Sequence, residues 1–342
     1  MKNKKIITII GLIVLILIIL FLRELFIPLN PTTSREITFN IQKGEDITNI
    51  SSRLKKEKVI GSPFVFNVIA LISNSYNNLK AGTYNFTSSM SIYEIMNKIK
   101  KGEILKEKIT LIEGWNLKNL GNYLQSNDIF SEEKLYELTG KPGEINSFEP
   151  RFNFPEFKFL ENKKEGLSLE GYLFPDTYEI KRNEGLETII EKMLSNFENK
   201  LSGELGDKIR NSGENIHRII TMASILEKEV KDYEDKRIVA GILWKRIRNG
   251  WPLQADATLN YITGKTSKDL TKEDLKIDSP YNTYKYYNLP PGPICNPGME
   301  SIKAALDYLN SPYWYYLSIP EGETLFSITL AKHNYNKAKY LK

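Results

Sequence analysis

A chain of 342 residues with 41% hydrophobic and 26% charged residues is long enough for two ordinary globular domains and too apolar for a disordered protein. Its net charge is +5, but Lys2, Lys4 and Lys5 precede the first apolar run, so the rest of the chain carries 5 − 3 = +2. That balance is too close to neutral for a nucleic-acid-binding protein, which needs a concentrated basic face.

The metal-ligating residue types are scarce. Cys295 is the only cysteine, which excludes an internal disulfide, and the two histidines are His217 and His333. Neither histidine has a second histidine or a cysteine at ligand spacing. We therefore expect neither a metal site nor a cofactor.

The first predicted element is a membrane-spanning helix. Residues 6–22 include only two that are not strongly apolar, Thr8 and Gly11, and a helix of this length nearly crosses a hydrocarbon layer of ~30 Å. Apolar residues continue to 27, so we assign 1–5 as a cytoplasmic tail and 6–27 as an uncleaved anchor. The N-terminal lysines keep that end cytoplasmic, and everything after about Pro28 then lies outside the cell membrane. The alternative is a cleaved signal peptide, but residues 25–29 lack a small-x-small cleavage pattern.

A strand–turn–helix pattern occurs twice, 70 residues apart. In the first copy apolar residues alternate at 37, 39 and 41, Gly44 supplies a turn, and apolar residues recur at helical spacing at 47, 50 and 54. In the second copy Ile109 and Leu111 alternate, Gly114 turns the chain, and leucines follow at 117, 120 and 124. We interpret the pair as an internal repeat.

The segment between the two copies completes a small module. Residues 79–86 are typical of a strand, and Ser91 with Glu94 forms a capping box for a following helix. The module spans about 36–104. It is either a spacer that holds the rest of the chain away from the membrane or a glycan-binding module, and periodicity does not separate the two.

The helix predicted over 215–230 places a carboxylate on an apolar face. Ile216, Ile220 and Ala223 share one side of this helix with Glu227. Glu229 is rotated by about 200° from Glu227, so we expect it to be solvated. An enclosed carboxylate is costly unless it is paired or protonated. A protonated, enclosed carboxyl is what glycosidic bond cleavage requires of a general acid.

A purely structural role for Glu227 is about equally compatible with helix geometry. In that interpretation a nearby arginine neutralises the buried carboxylate. The candidates for this arginine are Arg218, Arg246 and Arg248.

Several ordered sequence blocks resemble the YceG-like family of endolytic murein transglycosylases. The block at 223–229 (Ala-Ser-Ile-Leu-Glu-Lys-Glu) is similar to the family's catalytic segment. The other matching blocks are 169–178, 253–256, 279–284, 289–294, 296–298, 301–306, 326–330 and 333–334. Two positions depart from the family pattern: Ala257 stands where a proline is usual, and 320–324 replaces a glycine-rich stretch.

The resemblance implies a fold and a reaction. The fold would be α+β, with an N-terminal transmembrane helix, a small LysM-like module over 36–104 and a larger mixed catalytic domain over 105–342. The reaction would cleave the MurNAc–GlcNAc bond inside peptidoglycan strands and leave 1,6-anhydroMurNAc ends. Glu227 would protonate the glycosidic oxygen and then accept the proton of the attacking 6-hydroxyl. Peptidoglycan synthases would be the expected protein partners, and the enzyme would end the elongation of nascent strands.

The matching blocks also carry candidate substrate-binding groups. Polar side chains that suit sugar hydroxyls and acetamido groups are Gln254, Asp256, Tyr281, Asn282, Thr283 and Asn296. Glu170 is either a second functional acid or a structural partner of the turn at Gly171. Asp256 either orients Glu227 or caps a turn.

Two rival functions are compatible with the same residues. A hydrolytic muramidase would need a second carboxylate, for which Asp256 and Glu170 are the candidates. A non-catalytic peptidoglycan-binding scaffold for wall-synthesis enzymes would need no acid at position 227.

Overall fold

A computed structural model describes residues 2–32, 35–73, 79–145, 154, 156–182, 184–319 and 322–341. The chain divides into two compact units. Unit 1 contains residues 1–108 with 179–184, and unit 2 contains 109–178 with 185–342. The fold is mixed α+β with an apolar N-terminal helix, as the sequence predicts. The described strands form three two-stranded sheets, in which β1 pairs with β2, β3 with β4 and β5 with β6.

The helices are numbered in chain order. Their bounds are α1 Lys2–Phe26, α2 Ile47–Lys56, α3 Pro63–Ile72, α4 Ile92–Lys101, α5 Leu117–Ser126, α6 Glu132–Thr139, α7 Leu186–Lys200, α8 Glu204–Asn211, α9 Ile216–Glu229, α10 Tyr233–Arg248, α11 Asp256–Thr263, α12 Met299–Leu306 and α13 Leu330–Tyr340. The strands are β1 Glu36–Ile41, β2 Gly82–Thr87, β3 Lys106–Thr110, β4 Thr177–Lys181, β5 Tyr315–Ser318 and β6 Thr324–Ser327. Short 3-10 helices cover Lys158–Asn162, Ser267–Asp269 and Asp274–Lys276.

The predicted apolar N-terminal helix is present in unit 1. Residues Lys4–Phe26 of α1 are long and apolar enough to cross a membrane, with a mean hydropathy of 3.2 over the best window. The apolar helix extends the predicted span of 6–27 by two residues at its N-terminal end and stops one residue earlier.

Unit 1 is built around the first copy of the repeat. Ile37, Phe39 and Ile41 of β1 point inward, and β1 pairs antiparallel with β2 so that Phe39 lies opposite Tyr84. Inward residues of α2, α3 and α4 complete this core. The strand predicted over 79–86 begins later, at Gly82. The predicted capping box is confirmed, because Ser91 and Glu94 exchange hydrogen bonds at the start of α4.

The second copy of the repeat has the same local structure. Strand β3 leads into Gly114, which has a φ of +77°, as Gly44 has a φ of +80° in the first copy. Leu117, Leu120 and Leu124 are buried along α5. The repeat therefore places two comparable strand–turn–helix segments, and the turn of the second one reaches the candidate site.

Helix α9 is the central helix of unit 2. It packs against α10, α11 and α12, and every residue from Ile219 to Leu226 is buried. Gly241 lets α10 approach the chain at Leu309, because a Cβ at position 241 would lie 1.9 Å from the Leu309 carbonyl oxygen. The single apolar stripe expected for 215–230 is thus too simple, since neighbouring helices cover α9 on several sides.

Candidate functional site

Glu227 lies in the last turn of α9, where the helix begins to emerge from the core. The Asn215 side chain caps the N-terminus of α9 by accepting a hydrogen bond from the Arg218 backbone N–H at 2.9 Å. Leu226 is fully buried and Lys228 is exposed, while the Glu227 side chain is 11% exposed. The predicted enclosed position of Glu227 agrees with this placement.

One oxygen of the Glu227 carboxyl group is held by the beginning of α12. Its Oε2 accepts hydrogen bonds from the Gly298 backbone N–H at 3.0 Å and from the Ser301 hydroxyl at 2.6 Å. A carboxylate is favoured at a helix N-terminus, where unpaired N–H groups and the helix dipole both attract negative charge. The other oxygen, Oε1, accepts no hydrogen bond from the described residues.

A buried lysine faces the same oxygen. Lys236 Nζ lies 3.6 Å from Glu227 Oε2, and the Lys236 side chain is 6% exposed. The three arginines offered as partners in the purely structural interpretation bond other groups. Arg218 pairs with Glu214, and the guanidinium groups of Arg246 and Arg248 bond the Trp314 and Leu253 carbonyl oxygens and the Tyr308 hydroxyl.

The turn of the second repeat copy lies beside Glu227. A Cβ at Gly114 would be 3.6 Å from Glu227 Cγ, and Lys228 Nζ donates to the Gly114 carbonyl oxygen at 3.3 Å. The Glu113 carboxyl group lies against Gly298, because a Cβ there would be 2.1 Å from Glu113 Oε1. Partial burial, followed by the charge of Glu227, raises the pKa of Glu113. The site therefore holds two carboxyl groups, from Glu227 and Glu113, near one buried ammonium.

Asn296 fastens this turn to the rest of unit 2. Its side chain is fully buried, donates to the Trp115 carbonyl oxygen at 3.0 Å and accepts from the Leu173 N–H at 3.1 Å. Its backbone carbonyl oxygen accepts from the Gly114 N–H at 2.9 Å. Because these groups are already bonded within the chain, Asn296 positions the wall of the site, and substrate contact by its side chain stays a prediction.

Tyr281, Asn282 and Thr283 are also buried in the structure. The Asn282 amide nitrogen donates to two backbone carbonyl oxygens, at 3.0 and 2.8 Å. The Thr283 hydroxyl accepts from the Ala255 N–H at 3.1 Å and lies 3.0 Å from the Thr258 hydroxyl. The Tyr281 ring packs on Tyr261, with the ring centroids 5.2 Å apart. The Asn282 and Thr283 side chains bond neighbouring loop segments in this conformation, and substrate contact by these three residues stays a prediction.

Gln254 and Asp256 differ from that group. Gln254 is exposed and has a φ of +53°, so its side chain is open to solvent at a tight bend. Asp256 is half-buried at the first position of α11 and accepts a hydrogen bond from the Tyr284 hydroxyl at 2.5 Å. Its bonded partner is therefore Tyr284 rather than Glu227, and substrate contact by Gln254 or Asp256 stays a prediction.

Glu170 is buried and bonds the start of α5. Both of its carboxyl oxygens lie 3.1 Å from the Leu117 N–H at the start of α5, and Oε2 accepts from the Tyr261 hydroxyl at 3.2 Å. Burial raises the pKa of Glu170 to about 8. It thus caps α5 as an uncharged acid at neutral pH, and it bonds Leu117 in addition to the expected turn at Gly171.

The expectation that Glu229 is solvated is wrong. Glu229 Oε1 accepts from the Ala257 N–H at 3.1 Å, and Oε2 accepts from the Tyr316 hydroxyl at 3.3 Å. Burial raises the pKa of Glu229 to about 7. The N–H that bonds Glu229 exists because this chain has alanine at 257, where the family pattern has proline, which carries no N–H. The other departure, at 320–324, includes Pro320 and Glu321, which lie outside the described residues.

Lys236, Ser301 and Glu113 are site residues that the sequence patterns did not predict. A signal existed for Lys236: Val239, Ala240 and Leu243 follow it at the spacing of a buried helix face. The sequence signal for Glu113 is weaker. The repeat offset of 70 residues aligns Glu113 with Lys43, so the charge at this turn position differs between the two copies. Among the described residues there is no group of three or more His, Cys, Asp or Glu side chains that could hold a metal ion.

These features define a mixed α+β protein with an apolar N-terminal helix and an enclosed carboxyl group pinned to a helix N-terminus. Comparison with known proteins makes the assignment specific. The sequence profile of the YceG-like family matches residues 39–339, and the chain belongs to that family.

The relatives cover most of the chain. A Bacillus subtilis protein named endolytic murein transglycosylase is 32% identical over 94% of this chain and 89% of its own length. A Streptococcus pneumoniae protein of the same name is 28% identical over 94% of this chain, which spans only 61% of that longer protein. The crystal structure of a YceG-like protein from Listeria monocytogenes matches with a TM-score of 0.57 and 30% identity, over 89% of this chain and 99% of that one.

Proposed function

We propose that this protein is a membrane-anchored lytic transglycosylase. It cleaves the MurNAc–GlcNAc bond within peptidoglycan strands and leaves 1,6-anhydroMurNAc ends. The names of the relatives support the reaction class, and the apolar helix α1 supports a membrane anchor. The observation that carries the proposal is the enclosed Glu227 carboxyl group, which the described residues hydrogen-bond through Oε2 and not through Oε1.

The two oxygens of Glu227 have different tasks in this mechanism. Oε2 is fixed by Gly298 and Ser301, so the carboxyl group cannot rotate freely. Oε1 is the oxygen left to carry the proton that goes to the departing glycosidic oxygen. The same atom then accepts the proton of the 6-hydroxyl as that hydroxyl attacks C1. One carboxyl group therefore acts first as the acid and then as the base.

Lys236 stabilises Glu227 while its carboxyl group is deprotonated. Once Glu227 has given up its proton, its carboxylate has an ammonium 3.6 Å from Oε2. Attraction at that distance is large in an enclosed site, where water screens it weakly. The lysine thereby stabilises the intermediate state in which Glu227 waits to accept the second proton.

No second carboxylate is needed when the substrate supplies its own nucleophile. An intramolecular hydroxyl can have an effective molarity of ~10⁵–10⁸ M, so water need not be recruited. Glu113 nevertheless favours one rival, a hydrolytic muramidase, because its carboxyl group lies close to Glu227 and a hydrolase uses two acids. The second-acid candidates Glu170 and Asp256 are bonded to Leu117 and Tyr284 instead.

The order β1–α2–α3–β2, with the two strands antiparallel, supports a LysM-like subdomain over 36–104 and a catalytic domain over 105–342. The lysines at the N-terminal end of α1 support a cytoplasmic N-terminus and an extracytoplasmic catalytic domain. In this position the enzyme would end the elongation of nascent strands next to peptidoglycan synthases, which are the proposed partners.

The test is the chemistry of the released sugars. Full-length protein in detergent is incubated with purified peptidoglycan, and the sugar termini are analysed by mass spectrometry. We expect anhydro ends from the wild type and a loss of at least ~100-fold in turnover for Glu227→Gln, as for removal of a general acid. Glu198→Gln, which changes an exposed carboxyl group on α7, is the matched control.

Each rival predicts a different result. Reducing ends without anhydro ends would identify a hydrolase. A purified wild type that releases no sugar ends, together with cellular activity that survives Glu227→Gln, would favour the non-catalytic scaffold.

A further inference from the structure

Helix α3 exposes an apolar face that the described protein does not cover. The ten residues of α3 include no charged side chain. Phe64, Leu71 and Ile72 are 71%, 68% and 74% exposed. Leu71 and Ile72 follow Phe64 by seven and eight residues, so the three side chains lie on one side of the helix. A cluster of large exposed apolar side chains marks a surface that contacts an apolar partner.

The position of this face relative to α1 identifies the partner. An apolar groove of about 480 Å³ lies between the two helices, and Leu17, Ile18 and Phe21 line it together with Phe64 and Val65. The uninterrupted apolar run of α1 ends at Leu22. Residues 17–21 therefore lie about 2–8 Å inside that end of the run. Phe64 is held beside a part of α1 that is itself suited to the hydrocarbon layer.

Helix α1 is fixed to unit 1 rather than joined by a flexible tether. Leu25 is buried in the same core as β1 and α2. Glu24 lies against Gly61, just before α3, because a Cβ at Gly61 would be 2.7 Å from Glu24 Oε2. The rings of Phe26 and Tyr93 are 5.5 Å apart. Tyrosine is enriched at the membrane–water boundary, so this contact is consistent with a boundary near the end of α1.

We propose that α3 is a second membrane contact. It lies in the leaflet at the C-terminal end of α1, with Phe64, Leu71 and Ile72 among the lipid acyl chains. A helix of ten residues is ~15 Å long, which is too short to cross a bilayer but suits a position within its surface layer. Because α3 has no charge, apolar burial rather than headgroup attraction holds it there. The segment 36–104 is consequently held against the membrane.

This inference rests on the proposal that α1 spans the membrane, and one experiment separates the two. Three variants of the full chain, each with one added cysteine (Ile72→Cys, Ile13→Cys or Lys55→Cys), are labelled with an environment-sensitive fluorophore. Each is reconstituted into phosphatidylcholine vesicles with and without nitroxide-labelled lipid. The native Cys295 is fully buried, so wild-type protein treated in the same way serves as the labelling blank. Ile13 reports on α1, and Lys55 is an exposed position on α2.

We expect nitroxide lipid to quench the probe at 72 at least twofold more strongly than the probe at 55. Strong quenching at 13 with equal, weak quenching at 72 and 55 would overturn the α3 contact and leave the anchor intact. Absence of quenching at 13 would overturn both. A probe at 72 that is shielded from water but insensitive to nitroxide lipid would mean that a protein surface covers α3, which also overturns the proposal.

Discussion

The substitution Glu170→Gln tests whether the Glu170 carboxyl group has a structural role or a catalytic one. Glu170 is 2% exposed, and burial raises its pKa to about 8. At neutral pH it therefore holds the first turn of α5 as an uncharged acid. Glutamine has the same shape and keeps an oxygen that can accept the Leu117 N–H. We expect the variant to fold normally at pH 5 and to lose the pH dependence that the carboxyl group imposes.

The magnitude follows from proton linkage. The pKa of Glu170 rises from 4.5 to about 8 on folding, so the folded state holds a proton that the unfolded state releases between those values. Stability from this group is complete below pH 4.5 and is lost as the pH rises through 8. At ~1.36 kcal/mol per unit of pKa, the loss is up to ~5 kcal/mol. Glu229, with a pKa of about 7, causes a smaller loss of stability as the pH rises, and this loss is the same in the wild type and in the variant.

Thermal melting at pH 5, 7 and 9 measures this difference. Unit 2 contains 70 + 158 = 228 residues, a size at which ~1 kcal/mol shifts the melting temperature by about 2–4 °C. The melting temperature of Glu170→Gln relative to the wild type should therefore rise by roughly 10 °C from pH 5 to pH 9. The melting temperature of Glu198→Gln should change with pH in the same way as that of the wild type. If the melting temperature of Glu170→Gln changed with pH as that of the wild type does, Glu170 would not be an uncharged cap at neutral pH.

Four further changes test the site itself. Lys236→Met should destabilise unit 2 by ~3–5 kcal/mol, because it leaves the Glu227 carboxylate enclosed without its cation; an unchanged melting temperature would contradict this. Ser301→Ala removes the hydroxyl that fixes Glu227 Oε2 and should lower kcat by about tenfold at unchanged KM; a change confined to KM would assign Ser301 to substrate binding. Glu113→Gln should lower turnover by less than ~10-fold and still give anhydro products, whereas near-complete loss would favour the two-acid hydrolase. Gly298→Ala adds a Cβ 2.1 Å from Glu113 Oε1, so it should displace Glu113 and reproduce the effect of Glu113→Gln; a much larger loss would show that Gly298 has another task.

Local sequence patterns were sufficient for the elements that depend on neighbours along the chain. Alternation at Ile37, Phe39 and Ile41 predicts β1, and Ser91 with Glu94 predicts the start of α4. The apolar run before Leu22 predicts α1. Each rests on an interaction within a few residues, such as a cap, a turn or the period of a strand or helix. The offset of 70 residues likewise predicts that the second strand–turn–helix segment resembles the first.

The partners of the candidate acid were decided by the tertiary structure. The enclosed position of Glu227 follows from the spacing of α9, but Lys236 comes from α10, and Gly298 and Ser301 come from the start of α12. Likewise, helix geometry assigns Glu229 to solvent, yet Ala257 and Tyr316 of other segments enclose its carboxyl group. Periodicity describes an isolated helix and does not say which segments will cover it.

The same distinction explains the polar side chains near the site. The sequence places Asn282, Thr283 and Asn296 in loops, where amides and hydroxyls are plausible sugar ligands. Folding brings backbone groups of distant segments to them, and a buried polar group must be hydrogen-bonded whatever its chemical suitability for a substrate. The sequence by itself determined the anchor, the repeated unit and the acid at position 227. Only the packing of α10, α12 and the Glu113–Gly114 turn around α9 determined what that acid touches, because those contacts join residues far apart in the chain.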